Sequence, residues 1–178
     1  GIRYKFSPTK EIEILAVHGK QRYGFEYSNS VISGLNSNID ISEIFKLNKF
    51  GFTLGVSHLS RYQKLNAGFG EPNNVNINGA SLDLFYKDFY INAELAKKGK
   101  DVIANEGEIL SERMYDGTAL QVDIGYSKKG LGINTSMRRL ENFNFYSDKL
   151  AEGNIYNQQT LSYVPALTKQ QDYRLTNI

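Results

Sequence analysis

Residues 119–138, ALQVDIGYSKKGLGINTSMR, constrain the fold more than any other stretch of the chain. A turn at Lys129-Gly130 sets Lys128 opposite Leu131, and the other pairs follow: Tyr126 with Ile133, Ile124 with Thr135, Val122 with Met137. Successive side chains of a strand point to opposite faces, so these pairs share one face, and only Thr135 among the last six is polar. The opposite face pairs Ser127 with Gly132, Gly125 with Asn134, Asp123 with Ser136 and Gln121 with Arg138. A slip of one residue would exchange the two faces, which ties the register to the pattern. Such a hairpin has one oily flank and one wet flank. Whether a second protein layer or lipid covers the oily flank separates a soluble sandwich from a membrane barrel.

The same pattern recurs. With Lys87-Asp88 as a turn, Tyr86 faces Phe89, Leu84 faces Ile91, Leu82 faces Ala93 and Ala80 faces Leu95, while Asp83 meets Asn92 and Ser81 meets Glu94. Only Phe85 with Tyr90, beside the turn, departs from it. Further strands are expected over residues 1–7 (Ile2, Tyr4 and Phe6 on one side), 11–21, 31–41, and from Phe50, where Phe50, Phe52, Leu54 and Val56 alternate with Gly51, Thr53, Gly55 and Ser57. Residues 42–48 form a compact connection with room for one helical turn, Ser42 its cap. Short links at 8–10, 42–48, 87–88, 129–130 and 165–171 alternate with long polar ones at 22–30, 63–75, 98–116 and 142–153, the third with room for a helical turn. The expected fold class is all-β: an antiparallel up-and-down meander of about ten long strands, part of a transmembrane outer-membrane β-barrel, whose signature is short turns at one end and long loops at the other. Residues 154–164 and 172–178 supply the ninth and tenth strands. Runs of about 10–12 residues, at ~3.3 Å per residue and tilted ~40°, span roughly 25–30 Å. Phe6, Phe50, Tyr86, Phe89 and Tyr126 gather near the short turns, where an interfacial belt would lie.

A soluble sandwich also alternates, but its outer face is solvent-like and rich in Lys and Glu. Here the polar face is mostly Gly, Ser, Asn, Asp and Gln. No tract approaches the ~20 apolar residues of a membrane helix; a mean hydropathy of −0.43 is uninformative for barrels, whose alternating strands cancel. A net charge of +2 without a basic run gives no reason to expect a nucleic-acid partner, and the absence of cysteine excludes a disulfide scaffold. Neither end reads as a natural terminus, so residues 1–178 are expected to be a single barrel segment cut from a longer chain.

Residues 122–178, with YSKKGLGI, MRRLENFNFYSDKLAEGNIYN and TLSYVPALTKQQDYRLTNI, together with HGKQRYGFE and GLNSNIDISEIFK earlier, resemble an uncharacterised family of outer-membrane β-barrel proteins from Bacteroidota. The resemblance covers most of the chain and implies outer-membrane location, barrel architecture and missing strands on both sides. It implies no activity. The aromatic-ended C-terminal assembly strand usual in barrels is not visible.

Chemistry is sparse. His18 and His58 are the two histidines, and Ser57 and His58, adjacent on a strand, point to opposite faces, so they form no dyad. Both imidazoles are expected on the apolar side near the long-loop end. Two histidines without cysteine give no zinc spacing, and AGFGEPNN lacks the lysine of a phosphate loop. No catalytic residue, metal site or cofactor is expected, and the chain is not expected to be an enzyme. Asp83, Asn92, Glu94, Gln121, Asp123, Asn134 and Arg138 are expected to line a lumen, and Arg139, Phe143, Phe145 and Tyr146 to offer a loop contact surface. The expected function is porin-like passage or holding of a hydrophilic solute. One alternative is an accessory outer-membrane barrel that binds envelope proteins through its long loops; another is a soluble carbohydrate-binding sandwich. Membrane lipid is the expected partner.

Overall fold

The computed structural model describes residues 1–20, 22–23, 26–64, 72–105, 108–143 and 145. Ten strands and one short helix follow the chain: β1 (Ile2–Thr9), β2 (Ile12–Gly19), β3 (Arg22–Tyr23), β4 (Glu26–Tyr27), β5 (Val31–Asp40), α1 (Ile41–Ile44), β6 (Phe50–Tyr62), β7 (Asn74–Tyr86), β8 (Phe89–Asn105), β9 (Glu108–Lys128) and β10 (Leu131–Glu141). Eight of the strands form one antiparallel sheet in the order β1-β2-β5-β6-β7-β8-β9-β10, an up-and-down meander without crossovers. The protein is therefore all-β. The expected ninth and tenth strands, and Tyr146, lie outside the described residues.

Both central hairpins adopt the expected register. Lys128 pairs with Leu131, Tyr126 with Ile133 and Val122 with Met137, while Tyr86 pairs with Phe89 and Ala80 with Leu95. Gly130 takes φ +87° at the β9–β10 turn, a left-handed value that glycine adopts without strain.

Three expectations are corrected. Residues 22–30 are not only loop, since β3 and β4 pair there as a small separate hairpin. The turn of helix at Ile41–Ile44 is capped by Asp40, whose carboxylate accepts the Glu43 N–H at 3.1 Å; Ser42 instead donates its hydroxyl to Asp40. Residues 98–105 and 108–116 are strand, not loop: β8 and β9 run for 17 and 21 residues and pair from Lys98–Gly117 to Asn105–Glu108. Register shifts between Lys98 and Asp101 and between Val102 and Ala104 break the two-residue period there, so alternation does not reveal the strands. Past its last pairing with β7, at Ile77–Lys98, β8 pairs only with β9, and the two project as a ribbon.

Cross-strand registers divide each face into rows, and the rows change character along the sheet. From the short-turn end, one face carries Phe50–Tyr86–Phe89–Tyr126–Ile133, then Phe52–Leu84–Ile91–Ile124–Thr135, then Leu54–Leu82–Ala93–Val122–Met137, then Val56–Ala80–Leu95–Leu120. On β6 to β9 the next row is polar, His58–Asn78–Lys97–Thr118, although it continues into Leu35, Ala16 and Tyr4 on β5, β2 and β1, and Ser60–Asn76 follows. The other face runs the opposite way. From the short turns its rows are Gly51–Phe85–Tyr90–Gly125–Asn134, Thr53–Asp83–Asn92–Asp123–Ser136 and Gly55–Ser81–Glu94–Gln121–Arg138, polar or glycine apart from Phe85 and Tyr90, but further along come Ala96–Ala119–Leu140, Leu59–Ile77 and Ile32–Arg61–Val75. The two faces thus exchange polarity about two-thirds of the way along.

The buried core lies beyond that exchange and on the otherwise polar face. Ile32, Leu59, Val75, Ile77, Ala96, Ala119 and Phe145 form it, with Leu140 and Phe143 against it. The apolar face of the short-turn half is uncovered: Val56 is 58% exposed, Ile133 57%, Met137 55% and Ile124 47%. No helix among the described residues is long and apolar enough to cross a membrane, which bears only on helices.

Candidate functional site

The hairpins bring all seven expected polar-face residues to one side. Asp83, Asn92 and Asp123 occupy one row, Glu94, Gln121 and Arg138 the next towards the core, and Asn134 lies across from Gly125 near the turn. They gather because the two turns place Asp83, Asn92, Asp123 and Ser136 directly across successive strands.

Hydrogen bonds organise the first of these rows. Asn92 donates its amide to Asp83, and Ser136 donates its hydroxyl to Asp123. The second oxygen of Asp123 accepts from Gln121 Nε2 at 2.6 Å. Glu94 and Gln121 remain incompletely satisfied: Glu94 Oε2 and Gln121 Oε1 are buried and have no partner. Buried acceptors without a donor are costly, about 1–3 kcal/mol each for neutral groups, which makes this pair the chemically unsettled point of the face.

Glycine opens the same wall. Gly125 faces Tyr90 across the β8–β9 ladder, and a Cβ there would fall inside the phenol ring. The pair explains the departure near the Lys87-Asp88 turn, because Tyr90 fills the space that Gly125 leaves instead of following the small-polar rule of its face.

The expected loop contact surface divides. Arg139 lies at the outer edge strand and bonds Glu141, with Nε to Oε1 at 3.0 Å. Phe143 is half-buried against the core, and Phe145 is 1% exposed. Phe145 therefore offers no contact surface: its ring lies 5.3 Å from the Arg61 guanidinium, and Arg61 in turn pairs with buried Asp101 at 3.0 Å. Sequence reasoning missed this Arg61–Asp101–Phe145 cluster. The available signal was the phase of alternation, since Val75 and Ile77 share a face with Asp83 although Leu82 and Leu84 do not.

Both histidines lie on the apolar-face side beyond its last apolar row and are exposed. His58 Nδ1 donates to Asn78 Oδ1 at 2.8 Å, and His18 Nδ1 lies 2.8 Å from Ser33 Oγ. Ser57 lies on the opposite face from His58. Among the described residues no three His, Asp or Glu side chains gather closely enough to hold a metal ion.

Aromatic rings edge the apolar face at its short-turn end. Phe89 and Tyr126 lie 4.6 Å apart, Phe50 and Tyr86 6.1 Å, and Lys87 Nζ lies 5.2 Å from the Tyr86 ring.

One family model matches the chain, over residues 1–178, and it describes a family of unknown function, DUF6029. No curated protein and no solved structure gives a significant match.

Proposed function

We propose, for a chain that belongs to the DUF6029 family of unknown function, that the sheet is part of the wall of a transmembrane β-barrel in an outer membrane. Its apolar face meets lipid, and its polar face borders an aqueous interior that passes or holds a hydrophilic solute. The observation that carries this reading is the uncovered apolar face: four consecutive rows, aromatic and aliphatic on β6 to β9 and broken on β10 by Thr135 and Arg139, with Val56, Ile124, Ile133 and Met137 about half exposed. Exposed apolar area that is contiguous over several strands marks an interaction surface. In a sandwich, a second sheet would cover this face.

Dimensions support the reading with an adjustment. The four rows occupy about eight residues of each strand, or about 26 Å at ~3.3 Å per residue. A barrel tilt of ~40° reduces that to about 20 Å, towards the thin side of the ~25 Å apolar band of such barrels. β6 to β9, at 13 to 21 residues, are longer than the 10–12 residues expected, but the added length lies past the polar row of His58, Asn78, Lys97 and Thr118. On this reading it stands in the aqueous phase at the long-loop end.

A specific observation favours the accessory role as the second reading. Ile32, Leu59, Val75, Ile77 and Phe145 form a buried apolar cluster at the long-loop end of the otherwise polar face; in a barrel that face would be the inner one, and the cluster would narrow the mouth where solute enters. Conductance of the full-length protein in planar bilayers decides between them. Discrete, stable current steps are expected of the solute-passing wall; insertion without current would favour the accessory barrel.

A further inference from the structure

Glu94 and Gln121 stand directly across from each other in the β8–β9 ladder, on the polar face. Gln121 is only 4% exposed, yet its Oε1 meets no donor, and neither does Glu94 Oε2. The Gln121 amide cannot simply turn over, because its Nε2 is committed to Asp123, and a turned amide would set its oxygen against that carboxylate. Asp83 and Asp123 add two more carboxylates in the field of Glu94. Arg138, the cation nearest along the row, bonds neither orphaned oxygen. What the place lacks is a hydrogen-bond donor, and the carboxylates of Glu94, Asp83 and Asp123 favour one that carries positive charge. A metal ion is a poor match, for no three-carboxylate or histidine grouping converges there.

We infer that Glu94 and Gln121 form a recognition point for a cationic N–H donor, an ammonium or guanidinium group on a hydrophilic solute, with Glu94 supplying the countercharge and Gln121 Oε1 the directional acceptor. The inference deepens the reading of the polar face as a solute-bordering wall and rests on it. An ammonium bridging the two oxygens forms a charge-assisted bond to Glu94 and completes the valence of Gln121. A quaternary ammonium of equal charge has no N–H and can do neither.

The test uses the full chain, folded in detergent micelles and labelled with ¹⁵N-glutamine, with the Gln121 side-chain amide followed by NMR. Butylammonium chloride is titrated against tetramethylammonium chloride at matched ionic strength. Saturable movement of the Gln121 amide is expected with butylammonium at an affinity at least tenfold above that for tetramethylammonium. Glu94→Gln should remove that preference, and Asp116→Asn, an exposed charge off the cluster, should keep it. If Glu94→Gln does not fold, Glu94→Ser in the same assay replaces it. Equal responses to the two cations, or none to either, would overturn the inference. Bilayer insertion, read separately by quenching with brominated lipids, distinguishes the failures: insertion without cation preference defeats only this site, whereas cation preference without insertion defeats the wall reading and leaves the site.

Discussion

Gly125 and Tyr90 show how a single position carries the wall. The glycine is the space into which the ring fits, so Gly125→Ala should destabilise the folded protein by about 1–3 kcal/mol, the usual cost of overpacking. Trimming the ring in Tyr90→Ala should relieve most of the added loss when the two are combined, as a double-mutant cycle in urea would measure. The Arg61–Asp101 pair behaves differently, because both side chains are buried, at 1% and 0% exposure. Asp101→Asn removes the negative charge that faces the buried guanidinium at 3.0 Å and should cost about 3–5 kcal/mol. Arg61→Met with Asp101→Leu should cost less than that single change, because both buried charges of the pair are then removed together. Neither cluster is legible from residue type. Arg61 reads as one more polar residue of a strand end until the register places it beside Val75 and over Phe145.

At the level of elements, what the chain reveals depends on how purely it alternates. The hairpins at Lys87-Asp88 and Lys129-Gly130 are readable to the residue because turn chemistry and a strict two-residue period agree. The β8–β9 ribbon is not, since two register shifts scramble the period just where Lys98, Asp101 and Val102 become buried. The exchange of polarity between faces leaves a trace that is easy to pass over: Asn74, Asn76 and Asn78 alternate with Val75 and Ile77 in the opposite phase to Ala80, Leu82 and Leu84. The α1 cap is a case where the right element was expected with the wrong residue. Asp40 has both the length to reach the Glu43 N–H and a charge that suits a helix start, whereas Ser42 already lies inside the turn. The Ser42 hydroxyl and the Glu43 N–H hold the Asp40 carboxyl below its ordinary pKa. A carboxyl depressed on folding stabilises above its unfolded pKa of ~3.9 and loses that contribution as pH falls through the folded value. Asp40→Ala should accordingly cost about 1 kcal/mol at pH 7, and the difference from the parent should shrink below about pH 4, as unfolding midpoints across a pH series would show.

The whole sheet is best understood as two stacked halves that place their apolar residues on opposite sides. In the short-turn half the apolar rows lie on one face and are uncovered; in the long-loop half they lie on the other face and form a small protein core. That arrangement gives a paired expectation for charge insertion on one face. Leu82→Lys, within the apolar rows, should destabilise the bilayer-folded protein by about 2–4 kcal/mol, and Asn76→Lys, beyond them on the same face, by about 0–1 kcal/mol; urea unfolding from liposomes reads both. The most direct test of the lipid-facing wall exploits the absence of cysteine, which allows a unique spin label at any chosen site. Single cysteines at Val122, Asp123 and Ile124, labelled in the full-length protein in liposomes, report collision with oxygen, enriched in lipid, and with a nickel chelate, confined to water. Labels at Val122 and Ile124 are expected to favour oxygen, and that at Asp123 to favour nickel, alternating residue by residue. Protection of Val122 and Ile124 from both reagents would contradict a lipid-facing wall, because it would mean that a second layer of protein covers them.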